Sequence, residues 1–251
     1  FMIMLMPQAA IAQSAGTASL PTLSAQIELG QTDQFKQTLA RIMRVMLLLA
    51  LPASVGLILL RVPLIRVLYE RGSFDAVSTQ MVAWALLWYA VGLIGHSLVE
   101  VLSRAFYAMH DTKTPVIVGV LAMTGNIALS FFFAWLFGQI GWMPLGGLAL
   151  ANSTATAVEC VALLVILRKR LGGLEGGQIL RTGSQALIAS AVMGLSLLAW
   201  NFLFIERSKY VVLAGGVTLG LFVYAIMLGL LKVPELRSVL KKLKSKLAEK
   251  G

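Results

Sequence analysis

His96, Glu100 and Arg104 follow one another at intervals of four, the spacing that sets side chains along one stripe of a helix. Glu100 can pair with either neighbour. Such a stripe suits a polar cavity or a proton-sensitive group, and it equally suits an ion pair that orients a helix at a membrane surface. Asn126 and Ser130 share a second face, and Asn152, Thr156 and Glu159 a third. Amide, hydroxyl and carboxylate oxygens are the donors hard cations prefer, so two such helices side by side suffice for a small monovalent-cation site. Small and hydroxyl residues also simply let helices pack closely in lipid.

Covalent chemistry finds no support. The only histidines are His96 and His110, the single cysteine Cys160 lies in an apolar run, and no nucleophile motif or glycine-rich phosphate loop is present. Asn152, Ser153 and Thr154 spell a glycosylation sequon, but inside an apolar stretch it is out of reach of the modifying machinery. The sequence therefore reads as that of a protein that is not an enzyme and needs no bound cofactor.

The elements that position these groups follow from composition. The 251 residues are 58% hydrophobic and 13% charged, which excludes an ordinary soluble domain. Crossing a bilayer core of roughly 30 Å takes about 20 apolar residues. About seven windows meet that need: 1–18, 39–60, 77–102, 116–138, 145–167, 182–205 and 210–231. The alternation of barrel strands is absent, so the expected fold is all-α, a polytopic transmembrane helix bundle. Pro7 and Pro52 fall inside spans and imply kinks, whether they serve a transport path or only a bend. Residues 19–38 and 61–75 read as connectors. Phe1 opens inside an apolar run with no basic stretch ahead of it, so the sequence reads as part of a longer chain.

Lys and Arg side chains favour the cytoplasmic face. With the C-terminus inside, sixteen basic residues lie on that side and five outside, namely Arg61, Arg66, Arg71, Arg207 and Lys209. The basic residues sit in short clusters between apolar runs, which fits membrane lipids and argues against nucleic acid. In the last stretch, 232–251, Leu236, Val239, Leu240, Leu243 and Leu247 share one helical face among lysines, an amphipathic cytoplasmic tail for the inner leaflet.

Particular strings carry a resemblance. They are GTASLPTLS at 16–24, LALPASVGLILL at 49–60, PLIRVLYERGSF at 63–74, the long run from Tyr89 to Pro115, and GGLALANS at 146–153. In this order the chain resembles the MurJ/MviN lipid II flippases of the multidrug/oligosaccharidyl-lipid/polysaccharide exporter superfamily. The resemblance implies helices eight to fourteen of a fourteen-helix flippase in a bacterial inner membrane. Residues 1–170 then belong to the C-terminal transport lobe and 171–231 to the final helix pair, whose groove takes a polyprenyl tail. Its partners are a lipid-linked peptidoglycan precursor, membrane lipids and the N-terminal lobe of the same protein.

The transport cavity candidates are His96, Glu100, Arg104 and Glu159. The resemblance also implies Na+ coupling, with Asn126, Ser130 and Thr154 as ligands. Two departures stand out: Ser130 occupies a position where a family member offers a carboxylate, and Met2 and Leu5 stand where an arginine and an acid often face the cavity. A related exporter of drugs or lipid-linked polysaccharide units, and a scaffold for cell-wall enzymes, are the competing functions.

Overall fold

The computed structural model describes residues 2–71, 74–204 and 207–233. Among these the chain is helical throughout, as it must be where no water satisfies main-chain groups. Helix α1 (Met2–Gln8) runs through a π-helical turn (Ala9–Gln13) into α2 (Ser14–Glu28). Then follow α3 (Thr32–Tyr69), α4 (Ala76–Ala108), α5 (Lys113–Gln139), α6 (Pro144–Arg170), α7 (Gly176–Leu203) and α8 (Lys209–Leu230). Six of the described helices, α3 to α8, are long and apolar enough to cross a membrane.

Local chemistry explains where the helices start and stop. Asp75 caps α4 by accepting from the Ser78 N–H at 2.8 Å, and Pro144 opens α6 at a position where no intrahelical donor is lost. That capping bond holds the Asp75 carboxyl below the usual carboxylate range. At the far end of α6, Arg168, Lys169 and Arg170 complement the negative end of the helix dipole, and Gly172, with φ at +65°, turns the chain away.

The helices pack in the spatial order α5, α6, α4, α3, α7, α8, with α1 and α2 laid against α3 and α4. Lipid is as apolar as leucine, so burial alone does not hold such helices together, and close approach and hydrogen bonds must. Glycines supply the approach. A methyl group added at Gly147 of α6 would fall on the main chain of Phe133 in α5, and one at Gly92 of α4 would fall on Ser153 of α6. Three apolar clusters fill the remaining contacts. One, around Phe35, Phe106 and Leu163, sits at the Arg170 end of the bundle; one joins α3 to α7 and α8; one packs Met4 and Ile65 against Leu93. Helix α5 is outermost, packed on α6 alone along most of its length, and none of the residues in its apolar stretch is buried. A helix apolar all round and covered on one side only is stable in lipid or against another apolar body.

The structure corrects several boundaries. The span expected over 1–18 is an interrupted helix: Pro7 removes a donor and a π-helical turn follows it directly. The expected connectors are largely helical, since α2 continues through Pro21 to Glu28 and α3 runs on to Tyr69. At 38 residues α3 is about 57 Å long, well beyond the bilayer core. Hydropathy marks only the length inside lipid, so it misses the turns outside. The amphipathic tail lies outside the described residues from Pro234 onward.

Candidate functional site

Helix α3 contains Pro52 and Pro63. Proline has no N–H, so each leaves the carbonyl four residues earlier without its helical partner. The structure supplies both. The Tyr224 hydroxyl of α8 donates to the Leu48 carbonyl at 2.6 Å, and Nδ2 of Asn201 in α7 donates to the Leu59 carbonyl at 3.1 Å. The last two helices are thus docked on α3 at the two places where its main chain is open. In hydrocarbon an unsatisfied carbonyl costs several kcal/mol, so these bonds are needed wherever the prolines are kept.

Between these two bonds lies a groove of about 420 Å³. Its walls come from Pro7 and Ile11 beside the π-helical turn, from Leu49 to Leu64 along α3, and from Met193, Leu197, Leu213 and Gly220 of α7 and α8. The lining is apolar except for the Tyr224 hydroxyl, which is already spent on α3. Such a surface binds a hydrocarbon chain and has nothing with which to hold a sugar or a peptide.

A polar seam joins α4 to α6. His96 Nε2 lies 3.0 Å from Asn152 Oδ1 and 3.3 Å from Thr156 Oγ1, so the sequence-derived stripe and face meet at one point. Above it, Ser153 donates to the Trp88 carbonyl at 2.7 Å. Ser54 of α3 donates to the Ala90 carbonyl, also at 2.7 Å. Glu100 takes Arg104 as its partner, with Nη2 to Oε1 at 2.5 Å and both side chains half-buried. The Arg104 side chain crosses Gly16 of α2, where a methyl group would collide with it. Glu159 points elsewhere, along Gly119 of α5.

The cation-site candidates are divided. Ser130 donates to Asn126 within α5 at 3.4 Å, and Thr154 donates to the Leu150 carbonyl of its own helix at 2.8 Å. Helices α5 and α6 are neighbours, but no hydrogen bond among the described residues links Thr154 to Asn126 or Ser130.

At the Arg170 end a polar clasp holds three helix ends. Asp111, in the turn between α4 and α5, accepts from the Thr114 hydroxyl at 2.6 Å, from the Thr114 N–H at 3.0 Å, and from Arg170 of α6. These bonds, the Thr114 hydroxyl first among them, hold the Asp111 carboxyl down to about 2. The Arg170 guanidinium also lies 5.4 Å above the Phe106 ring.

Composition and spacing find the polar stripes but miss Tyr224, Asn201 and Arg170. A usable signal exists for the first two, because each proline inside a membrane helix announces a carbonyl that needs a donor from a neighbour. The donor itself is chosen by packing.

Six long apolar helices, proline sites capped from neighbouring helices, and an apolar groove between helices define a polytopic α-helical membrane protein. Comparison with known proteins narrows this. The model of the lipid II flippase MurJ family matches residues 1–214, and the chain belongs to that family. Among curated relatives, the protein of Vibrio cholerae named "Probable lipid II flippase MurJ" is 35% identical over 147 residues, 59% of this chain and 27% of that one. The Thermotoga maritima protein of the same name is 31% identical over 229 residues, 91% of this chain and 44% of that one. A solved structure, "Lipid II flippase MurJ, inward closed conformation", superposes with a TM-score of 0.70 at 25% identity, covering 89% of this chain and 43% of that chain. The chain spans less than half the length of these relatives.

Proposed function

We propose that this chain forms the second half-bundle of a flippase that moves a lipid-linked peptidoglycan precursor across the bacterial cytoplasmic membrane. It works by alternating access against a preceding lobe, and its C-terminus is cytoplasmic. The groove between α3, α7 and α8 carries this proposal, because an undecaprenyl chain needs an apolar track that stays continuous with lipid while a polar headgroup travels elsewhere. Family membership supplies the cargo class. The half-buried stripe of His96, Glu100 and Arg104, with Glu159 on α6, supplies groups for the headgroup's path, and Asn126, Ser130 and Thr154 supply oxygens for a coupling Na+. No covalent bond of the cargo is made or broken.

The test is complementation with the full-length protein in cells depleted of their own lipid II flippase. Growth and outward movement of lipid II are the expected outcome. Gly56 lines the groove with nothing within 4 Å of where a Cβ would sit, so Gly56→Leu directs its side chain into the track and slows translocation. Failure of the unaltered protein to support either growth or translocation overturns the proposal.

A further inference from the structure

Two basic residues continue the helix faces that wall the groove. On α3, Leu57 and Leu64 both line it, and Arg61 stands four residues after the first and three before the second, hence on the same helical side. On α8, Leu213 and Gly216 line it, and Lys209 lies one turn earlier on that face. Lys209 Nζ reaches across to donate to the Arg66 carbonyl at 3.2 Å, closing this end of the groove between its two walls.

Among the described residues, the acids nearby are already engaged. Glu70 takes Arg66 and the Thr79 hydroxyl, and Asp75 is spent on the α4 cap. Arg61 donates only to the Ile58 carbonyl of its own helix, and among the described residues neither it nor Lys209 has a carboxylate partner. Two cations without a described carboxylate partner, at the end of an apolar channel, favour an anion that comes to them.

We propose that the Arg61–Lys209 end of the α3–α8 groove holds the phosphate of a polyprenyl phosphate whose chain lies along the groove. The track follows α3 from Leu49 to Leu64, about 22 Å, and its apolar walls suit a long isoprenoid chain. Guanidinium and ammonium groups make charge-assisted hydrogen bonds to phosphate oxygens. The inference rests on the flippase reading, and with a cytoplasmic C-terminus it places the phosphate at the outer leaflet, where the cargo leaves.

The experiment measures binding of undecaprenyl phosphate, undecaprenol and phosphatidylglycerol to the full-length protein in detergent micelles by isothermal titration. The phosphate should bind about tenfold or more tightly than the alcohol, the gain expected of a hydrogen bond to a charged group. Arg61→Gln with Lys209→Gln keeps donors for the main-chain carbonyls but removes charge, and it should erase that preference while leaving undecaprenol binding unchanged. Arg61→Lys with Lys209→Arg should retain it. A preference that survives the glutamine pair, or displacement by phosphatidylglycerol as effective as by undecaprenyl phosphate, overturns the phosphate site. Equal binding of both prenyl lipids overturns the same claim alone. A protein that binds neither prenyl lipid overturns the groove reading beneath it.

Discussion

The hydroxyl of Tyr224 donates to the carbonyl of Leu48, the very carbonyl that Pro52 leaves open, so a proline in one helix and a phenol on α8 form a single device. Tyr224→Phe should lower thermal stability of the full-length protein in detergent by roughly 0.5–2 kcal/mol, the scale of a membrane hydrogen bond. Pro52→Ala restores a helical donor for Leu48. In that background the phenylalanine change should cost much less, and an additive double-mutant cycle would sink the pairing.

The second proline has its own partner and should behave independently. Asn201→Leu removes the donor to the Leu59 carbonyl and should destabilise by a similar roughly 0.5–2 kcal/mol, rescued by Pro63→Ala but not by Pro52→Ala. Rescue by the wrong proline would mean that the two bonds are not separate.

Asp111 gives a pH signature. Its folded pKa of about 2 lies below the ordinary aspartate value of about 3.9, so folding favours the ionised form. That contribution is complete above the ordinary value and is lost as pH falls through about 2. Asp111→Asn should therefore lose stability at neutral pH and narrow the gap to the unaltered protein between about pH 4 and about pH 2. A gap that stays constant across that window would remove the clasp from the account.

Helix contact through glycine can be tested against an internal control. Gly147→Ala places a methyl on the Phe133 main chain, which cannot swing aside, and should cost about 1–3 kcal/mol by parting α5 from α6. Gly125→Ala, on α5 with open space before it, should be neutral or stabilising by up to about 1 kcal/mol. Differential scanning fluorimetry separates the two.

Much of this molecule is legible in its sequence. The apolar windows locate α3 to α8, because the bilayer dictates both helix and minimum length. The spacing of four between Glu100 and Arg104 anticipates their pair, since helix geometry alone brings them together. His96 and Asn152 are each visible as hydrophilic groups in apolar runs, but their meeting at 3.0 Å depends on α4 lying beside α6, which no local pattern states. The turns of α2 and α3 outside the core are hidden for a different reason: polar residues flanking a span look alike whether coiled or helical. The groove has no sequence signature, being a concavity where leucines from three helices fall short of one another.

Helix α3 also sets a mechanical scale. Its first turns carry Asp33, Lys36, Arg41 and Arg44, while Leu48 near its middle anchors Tyr224 and Leu59 in its far half anchors Asn201. A helix so much longer than the membrane is thick, braced at both of its prolines by α7 and α8, acts as a lever. A small tilt around its midpoint is magnified at the aqueous tip, so repacking of α7 and α8 within lipid is broadcast as a displacement in water.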